Sequence, residues 1–134
     1  MTYTRQMLDT YSPAVDIDLN TLATTIDALN ECAQACAVDV DADLGVSNPT
    51  EMLKCIRLCL HCADVCTAAA RITGRVAQYE ADITRPLLEA CVAACKTCGD
   101  ECERHAHMHE HCRICAEVCR RCEHACRELL GALK

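Results

Sequence analysis

The sequence contains no tryptophan and no phenylalanine, and only three tyrosines. Rings normally supply much of a core's bulk. Without them, and with alanine abundant, helix backbones can approach closely and leave space for something the chain itself does not supply. Basic clusters are missing apart from short pairs such as Arg120-Arg121, and the formal charge is −7. That balance argues against nucleic acid or an anionic membrane as a partner. No run approaches the ~20 apolar residues of a membrane span. The start, MTYTRQMLDTYSPAVDID, shows no apolar leader core, no twin arginine and no cleavage site. A cytoplasmic chain with reduced thiols is therefore expected.

What the chain has instead is cysteine, 15 among 134 residues. An odd number leaves one thiol over in any fully intramolecular disulfide scheme. The cysteines are Cys32, Cys36, Cys55, Cys59, Cys62, Cys66, Cys91, Cys95, Cys98, Cys102, Cys112, Cys115, Cys119, Cys122 and Cys126. Their spacing alternates between three and four, which places them along one face of successive helices, where Leu or Ile would ordinarily face a core. The offsets 0, 4, 7, 11 recur from Cys55, Cys91 and Cys115. Packing does not require cysteine at nearly every seam position, so the pattern reads as ligand chemistry on a bundle scaffold.

The predicted fold is all-α: an antiparallel up-down four-helix bundle with a Cys-lined core, in residues 18–134, preceded by a short N-terminal helix or arm in residues 1–17 that includes Tyr3, Met7, Leu8, Tyr11, Pro13 and Val15. Helix one runs from about Asp18 to about Asp43, with Gly45 as a left-handed stop. Asn48, Pro49 and Glu51 predict a capped start of helix two, which ends near Thr73 or Ala77 around Gly74. Helix three follows a connection over 78–84, with Pro86 in its first turn. The last turn falls between Arg104 and Glu110, and helix four spans Cys112–Cys126 and ends near Gly131.

Antiparallel order gathers Cys36, Cys55, Cys102 and Cys112 at one pole, then Cys32, Cys59, Cys98 and Cys115, with Cys126 deepest. Below Cys32 the seam returns to Leu29, Thr25 and Leu22, an ordinary plug. The HAHMHEH segment, Met52, Asp39 and Asp43 share the cysteine-rich pole and mark it as the mouth. There Asp39 and Asp43 either make the mouth negative or form a solvated helix end. Met52 is either a thioether ligand or a gap filler. Of the four alternating histidines, His107 and His111 would stack at i,i+4 beside Cys115 if helix four begins early, while His105 and His109 would extend the line of Cys102 if helix three runs late. His61 and His124 project to the surface.

The charge of a filled core selects the metal. Each Zn(Cys)4 unit carries −2, and several stacked in a dry tube would repel without buried Lys or Arg, which the seam lacks. Cu(I) at about one ion per thiolate leaves the core near neutral and is the ion that bridging thiolates select. Iron-sulfur ligation fits poorly, since no cysteine precedes a proline. Two rival readings are a metallothionein-like Zn/Cd buffer, which would fold only with metal, and a thiol redox module, for which helical i,i+3 pairs point poorly.

These residues resemble the copper storage protein family, in its cytosolic branch, over nearly the whole body from Cys32 to Cys126. The resemblance implies storage of multiple Cu(I) ions per chain by the fifteen cysteines, with His107 and His111 at the ingress end, and no catalytic residues. It also implies a homotetramer, and a copper chaperone or exporter as a possible exchange partner.

Overall fold

The computed structural model describes residues 2–11 and 16–133. Pro13 and Val15 of the expected arm lie outside these residues. Five α-helices are present among the described residues: α1 Tyr3–Leu8, α2 Leu19–Leu44, α3 Leu53–Thr73, α4 Ala81–His105 and α5 Glu110–Ala132. The last four form the bundle. Each packs on two neighbours, α2 on α3 and α5, and α4 on the same pair, while the backbones of the diagonal pairs stay apart. A closed four-sided tube results, and α1 lies against α2, burying Leu8.

Local chemistry sets the helix ends. The carboxylate of Asp18 caps α2 by accepting from the backbone N–H groups of Asn20 and Thr21, both at 3.3 Å, and from the Thr21 hydroxyl at 2.9 Å. The Thr21 hydroxyl, with the backbone donors, holds that carboxyl below its ordinary value. At the other end of α2, Gly45 is not a left-handed stop: its φ is −91° and its ψ −1°. Its N–H instead bonds the Ala42 carbonyl at 3.1 Å, a tight turn that any residue can make. The expected capping box is also absent. Pro49–Met52 form a 3-10 turn whose donors are met by backbone, with Glu51 N–H on the Asn48 carbonyl at 3.2 Å, and α3 begins only at Leu53. Met52 is buried in this turn.

Helix α4 starts earlier than the proline suggested, so Pro86 sits in its second turn. The proline removes only the bond to the Asp82 carbonyl, and both residues are exposed. Gly74 follows Thr73 as the end of α3, and the turn between α4 and α5 falls at residues 106–109, inside the expected interval. Helix α5 ends at Ala132, one residue past Gly131, as expected.

The floor of the tube is an apolar plug. Leu22, Leu29, Leu88 and Leu129 are at most 1% exposed. Burying each contributes on the order of 1.5–3 kcal/mol. Tyr11 reaches over this end to donate its hydroxyl to the Gly74 carbonyl at 2.8 Å.

Candidate metal centre

All fifteen cysteines face the interior. Each is buried, and none is disulfide-bonded. No Lys or Arg is buried among the described residues, so the tube holds no fixed cation to offset anionic metal clusters. Neighbouring sulfurs lie 3.5 Å apart for Cys59 and Cys98, 3.7 Å for Cys55 with Cys102 and for Cys66 with Cys95, and 3.8 Å for Cys32 with Cys62. These spacings suit two thiolates sharing one soft ion, or one thiolate bridging two.

The thiols form overlapping quartets with sulfurs within 4.8 Å of one another: Cys59, Cys98, Cys102 and Cys115; then Cys36, Cys98, Cys115 and Cys119; then Cys32, Cys36, Cys62 and Cys119; then Cys32, Cys66, Cys95 and Cys122. Shared members make them one continuous column. At its floor, Cys91 turns to the Val65 carbonyl at 3.7 Å.

The register differs from the expected one on α2. Cys36 was expected level with Cys55 and Cys112 at the pole, but it meets Cys115 and Cys119, each at 3.9 Å. Helix α2 continues two turns past Cys36, and the 3-10 turn delays α3. Asp39 and Asp43 therefore take the pole positions, at 2% and 0% exposure. They are no solvated helix end. Asp39 Oδ2 accepts from the Cys59 thiol at 3.2 Å and the Cys55 thiol at 3.5 Å. Asp43 Oδ1 meets His111 Nε2 at 2.9 Å and the Cys112 thiol at 3.5 Å. Burial, reinforced by the neighbouring Cys115 and Asp43, pushes the Asp39 carboxyl up to about 8, and burial pushes Asp43 up to about 6. Burial, with both carboxyls beside it, also pushes the Cys112 thiol up.

The histidines separate. His111 is half-buried against Asp43, and its ring lies 5.3 Å from that of His109. The expected i,i+4 stack of His107 on His111 does not form, because α5 begins at Glu110 and leaves His107 exposed in the turn. His105 is held instead by Glu101, Nε2 to Oε2 at 3.1 Å. Glu101 is buried and also receives Arg104 at 2.5 Å. Sequence reasoning passed over this carboxylate, although its i,i+3 and i,i+4 spacing to Arg104 and His105 was a usable signal. His61 and His124 are exposed, as expected.

A helical bundle that turns a full column of reduced thiols inward, with one plugged end and one polar end, defines a class of metal-sequestering proteins. Residues 18–131 match the family model of copper storage proteins, Csp, and the chain belongs to that family. It is 47% identical to the copper storage protein Ccsp from Streptomyces lividans, whose structure loaded with 10 copper equivalents superposes with a TM-score of 0.94, covering 97% of this chain and 99% of that one. A structure of copper loading to a cytosolic copper storage protein from the same organism, with five coppers, is 50% identical with a TM-score of 0.84, covering 86% of this chain and 96% of that one. The uncharacterized cysteine-rich protein YhjQ of Bacillus subtilis is 32% identical over 104 residues, 78% of this chain and 91% of its own length.

Proposed function

We propose that this protein stores multiple Cu(I) ions in the cytoplasm, held by thiolates of the fifteen cysteines and admitted at the histidine-bearing pole. The observation that carries this reading is the unbroken column of buried, unpaired thiols with no buried Lys or Arg beside it among the described residues. In such a column only a monovalent soft ion fills every position without accumulating charge. The relatives described as loaded with copper support it.

His111 is the ingress residue best placed to pass an ion inward, since it touches Asp43, which touches Cys112. His107, exposed on the turn, would meet the ion earlier. The chain acts as a store and not a catalyst: the ligands of the column are fifteen buried thiols that take soft ions. Assembly as a homotetramer and exchange with a copper chaperone or exporter complete the reading.

The test is an anaerobic titration of reduced apo protein with Cu(I) against a chromophoric Cu(I) chelator. Ions withheld in number comparable to the 15 thiols establish storage. Saturation after one or two ions would sink it.

A further inference from the structure

We propose that the mouth carries a second kind of site, formed by His111, Asp43 and Cys112, for a divalent borderline cation of the zinc class. Its donors all lie at this pole, and only its effect on Cu(I) uptake rests on the storage reading. Asp43 is fully buried, and while its Oδ1 serves both His111 and Cys112, its Oδ2 has no hydrogen-bond partner. A buried carboxylate oxygen left unpaired is costly. Cu(I) selects sulfur, so as a direct ligand this hard oxygen suits an ion of another kind.

The three donors match what zinc takes: one imidazole, one carboxylate and one thiolate. With bonds of about 2.0–2.3 Å, ligand atoms around a tetrahedral ion sit roughly 3.3–3.7 Å apart. Of the donor separations, Cys112 Sγ to Asp43 Oδ1 at 3.5 Å falls in that range, and His111 Nε2 to the same oxygen at 2.9 Å lies a few tenths of an ångström below it. His111 is 28% exposed, so the fourth position faces water.

Charge separates this site from the column below. A dication on neutral His111, anionic Asp43 and anionic Cys112 totals zero, whereas the same ion in any of the four-cysteine groups leaves −2 in a dry interior. Cys112 also lies in the first turn of α5, where the helix N-terminus and a bound dication together oppose the burial and carboxyl charge that otherwise keep its thiol protonated. Binding releases the Cys112 proton to solvent. An ion seated here occupies the path inward, so zinc-class cations slow Cu(I) uptake.

The experiment adds one equivalent of Co2+, as a spectroscopic stand-in, to anaerobic reduced apo protein, and in parallel one equivalent of Zn2+ for X-ray absorption. The expected result is a tetrahedral cobalt spectrum with the charge-transfer intensity of a single thiolate. Cys112→Ser should abolish that band, and Asp43→Asn should weaken binding at least about tenfold. The zinc shell in the unmodified protein should contain one sulfur among nitrogen and oxygen. A four-sulfur shell, a cobalt spectrum indifferent to both substitutions, or failure to bind the first equivalent overturns the proposal. Cu(I) capacity, measured separately on the same preparation, reports on storage alone.

Discussion

The Cys59 thiol donates to Asp39 Oδ2 at 3.2 Å, so a carboxyl from α2 stands where the thiol column would otherwise continue. Asp39 ordinarily titrates at 3.8 but is pushed up to about 8 here. The folded state therefore keeps a proton that the unfolded chain releases between those values. Its stabilising effect is complete below the ordinary value and is lost as pH rises through about 8. The melting temperature of the reduced apo protein should fall from about pH 5 to about pH 8.5, and Asp39→Asn, which keeps a similar shape, should flatten that slope. An unchanged slope in the variant would clear Asp39 as its source. Titration of the buried Cys112 thiol adds a loss in the same direction at higher pH.

Position in the column should decide how much copper each cysteine holds. Cys36 belongs to two of the four-cysteine groups and lies 3.9 Å from both Cys115 and Cys119. Cys91, at the floor, has the Val65 carbonyl as its close contact. Cys36→Ala should lower Cu(I) capacity by about two ions or more, since thiolates bridge, and Cys91→Ala by about one. Equal losses in the chelator titration would mean that the ions do not follow the column.

The seam itself was legible because helical spacing repeats without interruption from Cys55 to Cys66, Cys91 to Cys102 and Cys112 to Cys126. That spacing yields three helices, and the run Leu19, Leu22, Ile26, Leu29, Cys32, Cys36 adds the fourth, all with an inward thiol face. The relative height of the helices was not legible. It depends on whether Gly45 stops α2 by a left-handed residue and whether Asn48 caps α3, and the chain used backbone turns for both. The 3-10 turn offsets α3 against α2, which sets Asp39 against Cys55 and Cys59 and moves Cys36 one layer inward. The burial of Asp43 and its bond to His111 follow from the same offset. Turn geometry, read least well from sequence, thus decides the chemistry of the mouth.

The plug predicts a separation of stability from capacity. Leu88 is fully buried one turn below Cys91 on α4. Leu88→Ala should destabilise the apo protein by about 2–5 kcal/mol, through lost burial and the cavity it leaves. It removes no sulfur, so the copper number should hold while the chemical denaturation midpoint drops. A fall in capacity beyond the unfolded fraction would show that the floor helps to shape the column.

Gly99 tests how closely α4 and α5 must approach. A Cβ placed there would lie 3.0 Å from Arg120 Nη1, 3.2 Å from its Cζ and 3.3 Å from Cys119 Cβ. The first two contacts are with the far end of a flexible side chain, which reaches across to Asp100 at 2.7 Å and Glu103 at 2.9 Å and can move. The third is with the stem of a column cysteine. In Gly99→Ala a gain of up to about 1 kcal/mol in helix propensity offsets a displacement of a few tenths of an ångström, so stability should stay within about 1 kcal/mol of the parent. Gly99→Leu cannot be accommodated by Arg120 alone and must part the helices, at a cost of about 1–3 kcal/mol. The parting acts where Cys98 of α4 meets Cys36, Cys115 and Cys119. Gly99→Leu should therefore lose copper capacity as well as stability, and Gly99→Ala neither. If calorimetry and Cu(I) titration find the leucine variant at full capacity, close approach of α4 and α5 is not what holds that group of thiols together.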